Sequence, residues 1–101
     1  MMVKHVILWT LKEGYSPEEI SEIKKGVKTG LEGLKGEIPG LLDIKVYTAP
    51  LDSANCDMML DSCFESEEAL KGYTVHPKHV EVATTKVRPF VASRTVMDCE
   101  A

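Results

Sequence analysis

The chain has 101 residues, 44% hydrophobic and 28% charged, with a formal net charge of −4. That is one domain, residues 1–101, with enough apolar material for a core and the composition of an ordinary soluble protein. The acidic balance, without a basic stripe, argues against nucleic acid as a partner, and no apolar run approaches the roughly 20 residues of a membrane span.

Val3 to Leu11 comes first in chain order. It is short and rich in Val, Ile and Trp, and reads as a strand. Its alternate residues make two faces, Val3, His5, Ile7, Trp9 and Leu11 on one and Lys4, Val6, Leu8 and Thr10 on the other. Ser16-Pro17-Glu18-Glu19 then supplies an N-cap, a proline at the first helical position and a capping-box glutamate. Ile20, Ile23, Val27, Leu31 and Leu34 follow at helical spacing, with Gly36 as the expected C-terminal cap. Gly26, Gly30 and Gly33 lie within that helix, each costing about 1 kcal/mol relative to alanine. They read either as the close approach of another backbone along that side or as a weak helix held by packing.

Ile38-Pro39-Gly40 turns the chain into a strand from Leu41 to Thr48, and Ala49 to Asn55 is a loop. Met58 to Phe64 is a third strand. Ser66 caps a helical region through Tyr73, interrupted at Pro77, which starts a further helix to about Val87. Phe90 to Asp98 is the last strand, with Val91, Ser93, Thr95 and Met97 opposite Ala92, Arg94 and Val96.

Strand, helix, strand, strand, helix, strand in this length is the α+β, ferredoxin-like β-α-β-β-α-β pattern, with an antiparallel sheet covered by helices on one face. The uncovered face should then be polar, yet the first strand is apolar on both sides. An exposed apolar sheet face is a partner site. A second copy, sheet facing sheet, is the simplest cover, so a homodimer forming a dimeric α/β barrel is expected.

Chemistry concentrates in Tyr73-Thr74-Val75-His76-Pro77-Lys78-His79-Val80, which holds a phenol and two imidazoles around a proline. His5 is the third and last histidine. By alternation with Val3 and Ile7 it is expected to face the barrel interior, meeting Tyr73 and His79 around a pocket between sheet and helices. His5, Tyr73 and His79 are the candidate catalytic groups, and Ile7, Trp9 and His76 the candidate ligand contacts. His76, just before proline, also suits a cap at the helix start. The three histidines lack a carboxylate or thiolate to complete a metal set, so neither metal nor other cofactor is expected. Cys56, Cys63 and Cys99, odd in number and without C-x-x-C spacing, suggest neither a disulfide framework nor a zinc knuckle. The N-terminus reads as strand rather than a cleaved signal peptide, and a cytoplasmic location with reduced thiols is expected.

Val3-Lys4-His5-Val6, Ile38-Pro39-Gly40-Leu41, Phe64-Glu65-Ser66-Glu67-Glu68-Ala69-Leu70, Tyr73-x-x-His76-Pro77-x-His79 and Arg88-Pro89 together resemble the stress-responsive dimeric α/β-barrel (Dabb) domain family, in order and over essentially the whole chain. The resemblance implies a ferredoxin-like subunit in a dimeric barrel. The family includes stress-induced stable proteins and a plant polyketide cyclase, olivetolic acid cyclase, whose active-site groups correspond by motif to His5, Tyr73 and His79. The resemblance thus implies His79 as acid/base and Tyr73 as its hydrogen-bonding partner. A neutral-range histidine base and a phenol beside a developing enolate suit an aldol condensation.

Three functions are compatible with these residues. The leading one is a small stress-associated dimer whose His/Tyr-lined pocket binds a small apolar molecule. The second is an acid/base enzyme, a cyclase or isomerase, using His79, Tyr73 and His5. The third, by fold analogy alone, is a cofactor-free monooxygenase.

Overall fold

The computed structural model describes residues 1–101 as β1 (Val3–Leu11), α1 (Pro17–Glu32), β2 (Leu41–Tyr47), β3 (Met58–Phe64), α2 (Glu67–Val75), α3 (Pro77–Val82) and β4 (Val91–Glu100). A π-helical turn at Ala83–Val87 and a 3₁₀ turn at Arg88–Phe90 carry α3 into β4. The four strands form one antiparallel sheet in the order β2-β3-β1-β4. This is the ferredoxin-like α+β arrangement expected from the element order.

Local chemistry sets the element ends. Ser16 caps α1 through a reciprocal box in which the Glu19 N–H donates to Ser16 Oγ at 3.1 Å and the Ser16 N–H to Glu19 Oε1 at 2.8 Å. Such a cap is worth about 1 kcal/mol. The helix stops earlier than its apolar spacing suggests: Gly33 is the C-cap, and Gly36 lies in the turn beyond it. At Gly30 an added Cβ would come within 2.8 Å of Val82 Cγ1 on α3, so what packs close there is a side chain and not another backbone.

The core fills the space between sheet and helices. β1 contributes Val3, Ile7, Trp9 and Leu11, β3 contributes Met58, Leu60 and Phe64, and α1 contributes Ile23, Val27 and Leu31. Burying a side chain such as Phe64 contributes about 1.5–3 kcal/mol. His5 shares the face of Ile7 and Trp9 and is buried with them. The expectation that it faces a barrel interior is therefore corrected. Val3, Ile7, Trp9 and Leu11 share that face and supply the larger apolar area of β1, and the helices cover it. The opposite face is formed by Lys4, Val6, Leu8 and Thr10 of β1 with Met59 of β3 and Met97 of β4. β4 is an edge strand, exposed from Ala92 onward, and it runs two residues past the expected Asp98.

Gly40 fixes the turn into β2. Its φ is +80°, and a Cβ there would stand 2.4 Å from Ala69 Cβ and 3.1 Å from Glu65 Cγ. The Gly40 carbonyl also accepts from the Glu65 N–H at 2.9 Å, tying the turn to the end of β3. Gly40→Ala combines left-handed strain with a steric clash and should lower stability by about 2–4 kcal/mol. Urea unfolding followed by far-UV circular dichroism measures it.

Candidate functional site

A cavity of about 410 Å³ opens between the sheet and the α2–α3 segment, and its lining includes His5, Ile7, Trp9, Tyr73 and His79. Five of the six expected site residues therefore meet here. His76 is not among the lining residues. Its extended backbone, enforced by Pro77, ends α2 and begins α3, and its Nδ1 accepts from the Lys78 N–H at 3.1 Å. His76 thus acts as a helix cap rather than a cavity contact, because the ring is committed to the first turn of α3.

That break at Pro77 aims the chemistry. Tyr73 lies in the last turn of α2 and His79 in the first turn of α3, and their rings stack at 4.1 Å between centroids with a 35° tilt. His5 approaches Tyr73 edge-on at 6.0 Å, and Phe64 packs against both. The three groups form a row: His5, Tyr73, His79.

His5 is held from two strands. The Ser62 Oγ donates to the His5 carbonyl at 2.7 Å, a fully buried hydrogen bond. On the other side His5 Nδ1 is 2.5 Å from Asp98 Oδ1. With the carboxylate accepting from Nδ1–H, Nε2 is left as the free ring nitrogen. Asp98 was not singled out in the sequence, although the face carrying Arg94 and Val96 continues to Asp98 by simple alternation. The register pairs Arg94 with Trp9, Val96 with Ile7 and Asp98 with His5.

Burial shapes the other two groups. It holds the His79 imidazole below the usual histidine range. Arg88, His5 and Arg94 add to that effect, and the Thr74 carbonyl opposes it. Burial pushes the Tyr73 phenol well above the usual range, with Arg94 acting in the opposite sense. Both are therefore neutral at physiological pH. Tyr73 Oη and His79 Nδ1 are buried without a hydrogen-bond partner in the protein, an uncommon condition for buried polar atoms. Arg88, Arg94, Ser93 and Thr74 complete the polar lining. Of these, only Arg88 stood within a motif, and none was expected at the site.

A two-layer ferredoxin-like subunit with an open His/Tyr-lined cavity between sheet and helices defines the class. The profile of the Stress responsive A/B Barrel Domain, Dabb, matches residues 3–101, and the chain belongs to that family. It is similar to the stress-response A/B barrel domain-containing protein HS1 of Arabidopsis thaliana, 38% identical over 85 residues that cover 81% of this chain and 74% of that protein. Its fold resembles that of a dimeric protein of unknown function from Bacteroides fragilis. The TM-score is 0.91 at 27% identity, covering 99% of this chain and 96% of the other. The hydroxynitrile lyase of Passiflora edulis shares the fold, with a TM-score of 0.71 at 18% identity over 96% of this chain and 90% of the lyase. No helix is long and apolar enough to cross a membrane.

The lowered His79 value links the site to pH. Between the folded value and the ordinary value of about 6.5, the unfolded chain binds more protons, so stability rises with pH there. The contribution of neutral His79 is complete above about pH 6.5 and is lost as pH falls toward the folded value. The wild type should therefore lose thermal stability on acidification through this window more steeply than His79→Phe. Parallel melting curves from pH 7.5 to 5 test this.

Proposed function

We propose that this protein is a homodimer, sheet facing sheet, in which each subunit binds a small, mainly apolar molecule in the His5–Tyr73–His79 cavity. The observation that carries the binding reading is the pair of buried, unpartnered polar atoms, Tyr73 Oη and His79 Nδ1, belonging to residues that line a cavity with both apolar and polar walls. A bound molecule with one or two polar atoms would satisfy what the protein leaves open. The dimer reading is supported by the exposed Leu8, Met97 and Tyr47 on or beside the uncovered sheet face and by the dimeric relative from Bacteroides fragilis.

A second reading, acid/base catalysis on an enolisable carbonyl compound, is favoured by the His5–Asp98 pair and by neutral His79. In that chemistry His79 takes a proton from the carbon next to the carbonyl, the C–H electron pair forms the enolate, and the neutral Tyr73 phenol donates a hydrogen bond to the enolate oxygen. His5, fixed by Asp98, offers Nε2 as a second acceptor. Return of the proton from His79 to carbon completes an isomerisation; attack of the enolate carbon on a second carbonyl, whose alkoxide then takes the proton from His79, completes a cyclisation.

Trp9 is the only tryptophan of the chain and lines the cavity, so its fluorescence reports occupancy. Native mass spectrometry of the purified protein should recover one small molecule per subunit, and displacing it should change Trp9 emission. An empty protein whose emission responds to no apolar compound would sink the binding reading. Solvent-deuterium exchange into enolisable ketones and β-polyketone thioesters tests the second. If catalysis occurs, His79→Ala should slow it by about 10²–10⁴-fold with the dimer intact, and Tyr73→Phe by a smaller factor. Absence of exchange by the wild type removes that reading alone.

Assembly has its own check. Leu8→Asp places a charge on the uncovered sheet face and should convert the dimer to a folded monomer in sedimentation equilibrium. Trp9→Asp instead buries a charge in the subunit's own core and should unfold it. A wild type that sediments as a monomer at micromolar concentration would overturn the assembly.

A further inference from the structure

The charges around the cavity are distributed unlike those of the chain as a whole. The sequence contains 16 Asp and Glu residues and only two arginines, Arg88 and Arg94. Both arginines line this cavity, and none of the carboxylates does. Asp98, engaged on His5 Nδ1, lies outside the lining. The six ion pairs of the protein are made by Lys4, His5, Lys28, Lys35, Lys71 and Lys78. Neither guanidinium has a carboxylate partner, and neither donates a hydrogen bond to another side chain.

The two arginines reach the same opening from different elements. Arg88 begins the 3₁₀ turn that follows the π-helical turn. Arg94 lies on β4 opposite Trp9, on the helix-facing side of the sheet. Both are exposed, so they stand at the mouth, while Ile7, Trp9, Leu31 and Leu60 lie deeper in the lining. Both cations also act on the half-buried His79, which lines the same cavity. A guanidinium presents a planar fork of donors that matches a carboxylate in two parallel hydrogen bonds.

We propose that the cavity takes a carboxylate-bearing small molecule, its apolar body on Trp9 and Ile7 and its carboxylate at the mouth on Arg88 and Arg94. This rests on the reading that the cavity is a ligand site, and it names the class of ligand.

The test is isothermal titration with 3-phenylpropanoate and its neutral isostere 3-phenylpropanamide, on wild type and on Arg88→Gln, Arg94→Gln and the double variant. Wild type should bind the carboxylate at least tenfold more tightly than the amide. Each single substitution should weaken carboxylate binding by about tenfold, as expected for hydrogen bonds to a charged group, and weaken amide binding by a smaller factor, since the amide offers one acceptor in place of a charged pair. Because both arginines are exposed, melting temperatures of the variants should stay close to wild type, which separates lost recognition from lost fold. Histidine NMR titration gives an independent readout, with bound carboxylate raising the His79 titration point in wild type and not in the double variant. Equal affinity for acid and amide, or carboxylate binding unaffected by the double substitution, overturns this inference while the cavity reading stands. Failure of the wild type to bind either compound overturns both.

Discussion

The two-residue repeat of β1 is the constraint from which the rest of the structure follows. Burying Trp9 and Ile7 under the helices commits every alternate residue of the strand to the same side, and His5 goes with them. An imidazole in that position needs partners, and the neighbouring strands provide them: Ser62 of β3 on its carbonyl and Asp98 of β4 on its ring. Hydrophobic packing thus decides where the polar group sits, and hydrogen bonding decides how it is oriented. A slip of one residue in the register of β1 would send His5 and Trp9 to the other face together.

The cavity combines two influences of opposite sense. Its apolar walls disfavour charge on any group they surround, which keeps both the Tyr73 phenol and the His79 imidazole neutral. The arginines at its edge reinforce neutrality in His79, where a second positive charge is unwelcome, and work against it in Tyr73, where a negative one would be welcome. A proton acceptor and a hydrogen-bond donor consequently lie in contact without forming an ion pair with each other. Tyr73 Oη and His79 Nδ1 are thus neither ionised nor hydrogen-bonded within the protein.

Much of this was legible in the sequence. The capping box at Ser16, the alternation of β1 and the break at Pro77 each depend on interactions between residues close in the chain, and all three stand where the residue pattern puts them. His5, Tyr73 and His79 were identifiable as residue types suited to proton transfer, and the fold brings them into one row. The side of the sheet on which His5 lies was less legible, because both faces of β1 are apolar and local pattern alone does not say which one the helices cover. Asp98 and Arg94 were hidden for a related reason. They belong to the edge strand β4, where exposure removes the apolar alternation that marks an inward face, and their significance comes from cross-strand register with His5 and Trp9. His76 shows the opposite limit: its residue type suits a site, but the adjacent proline assigns its ring to the backbone.

The His5–Asp98 contact joins residues 93 positions apart, and that separation governs when the site can come into being. Of the four strands of the sheet, β1 leaves the ribosome first and its partner β4 last. The earlier segments can form α1 and the β2–β3 hairpin from local contacts while the central strand still lacks a neighbour on one side. Closing so long a loop is entropically costly and slow relative to those local steps. The nascent chain therefore passes through a stage in which His5 is on β1 without its carboxylate and one edge of β1 is open to other strands. Completion of β4 closes that edge and brings Asp98 to the His5 ring in the same event.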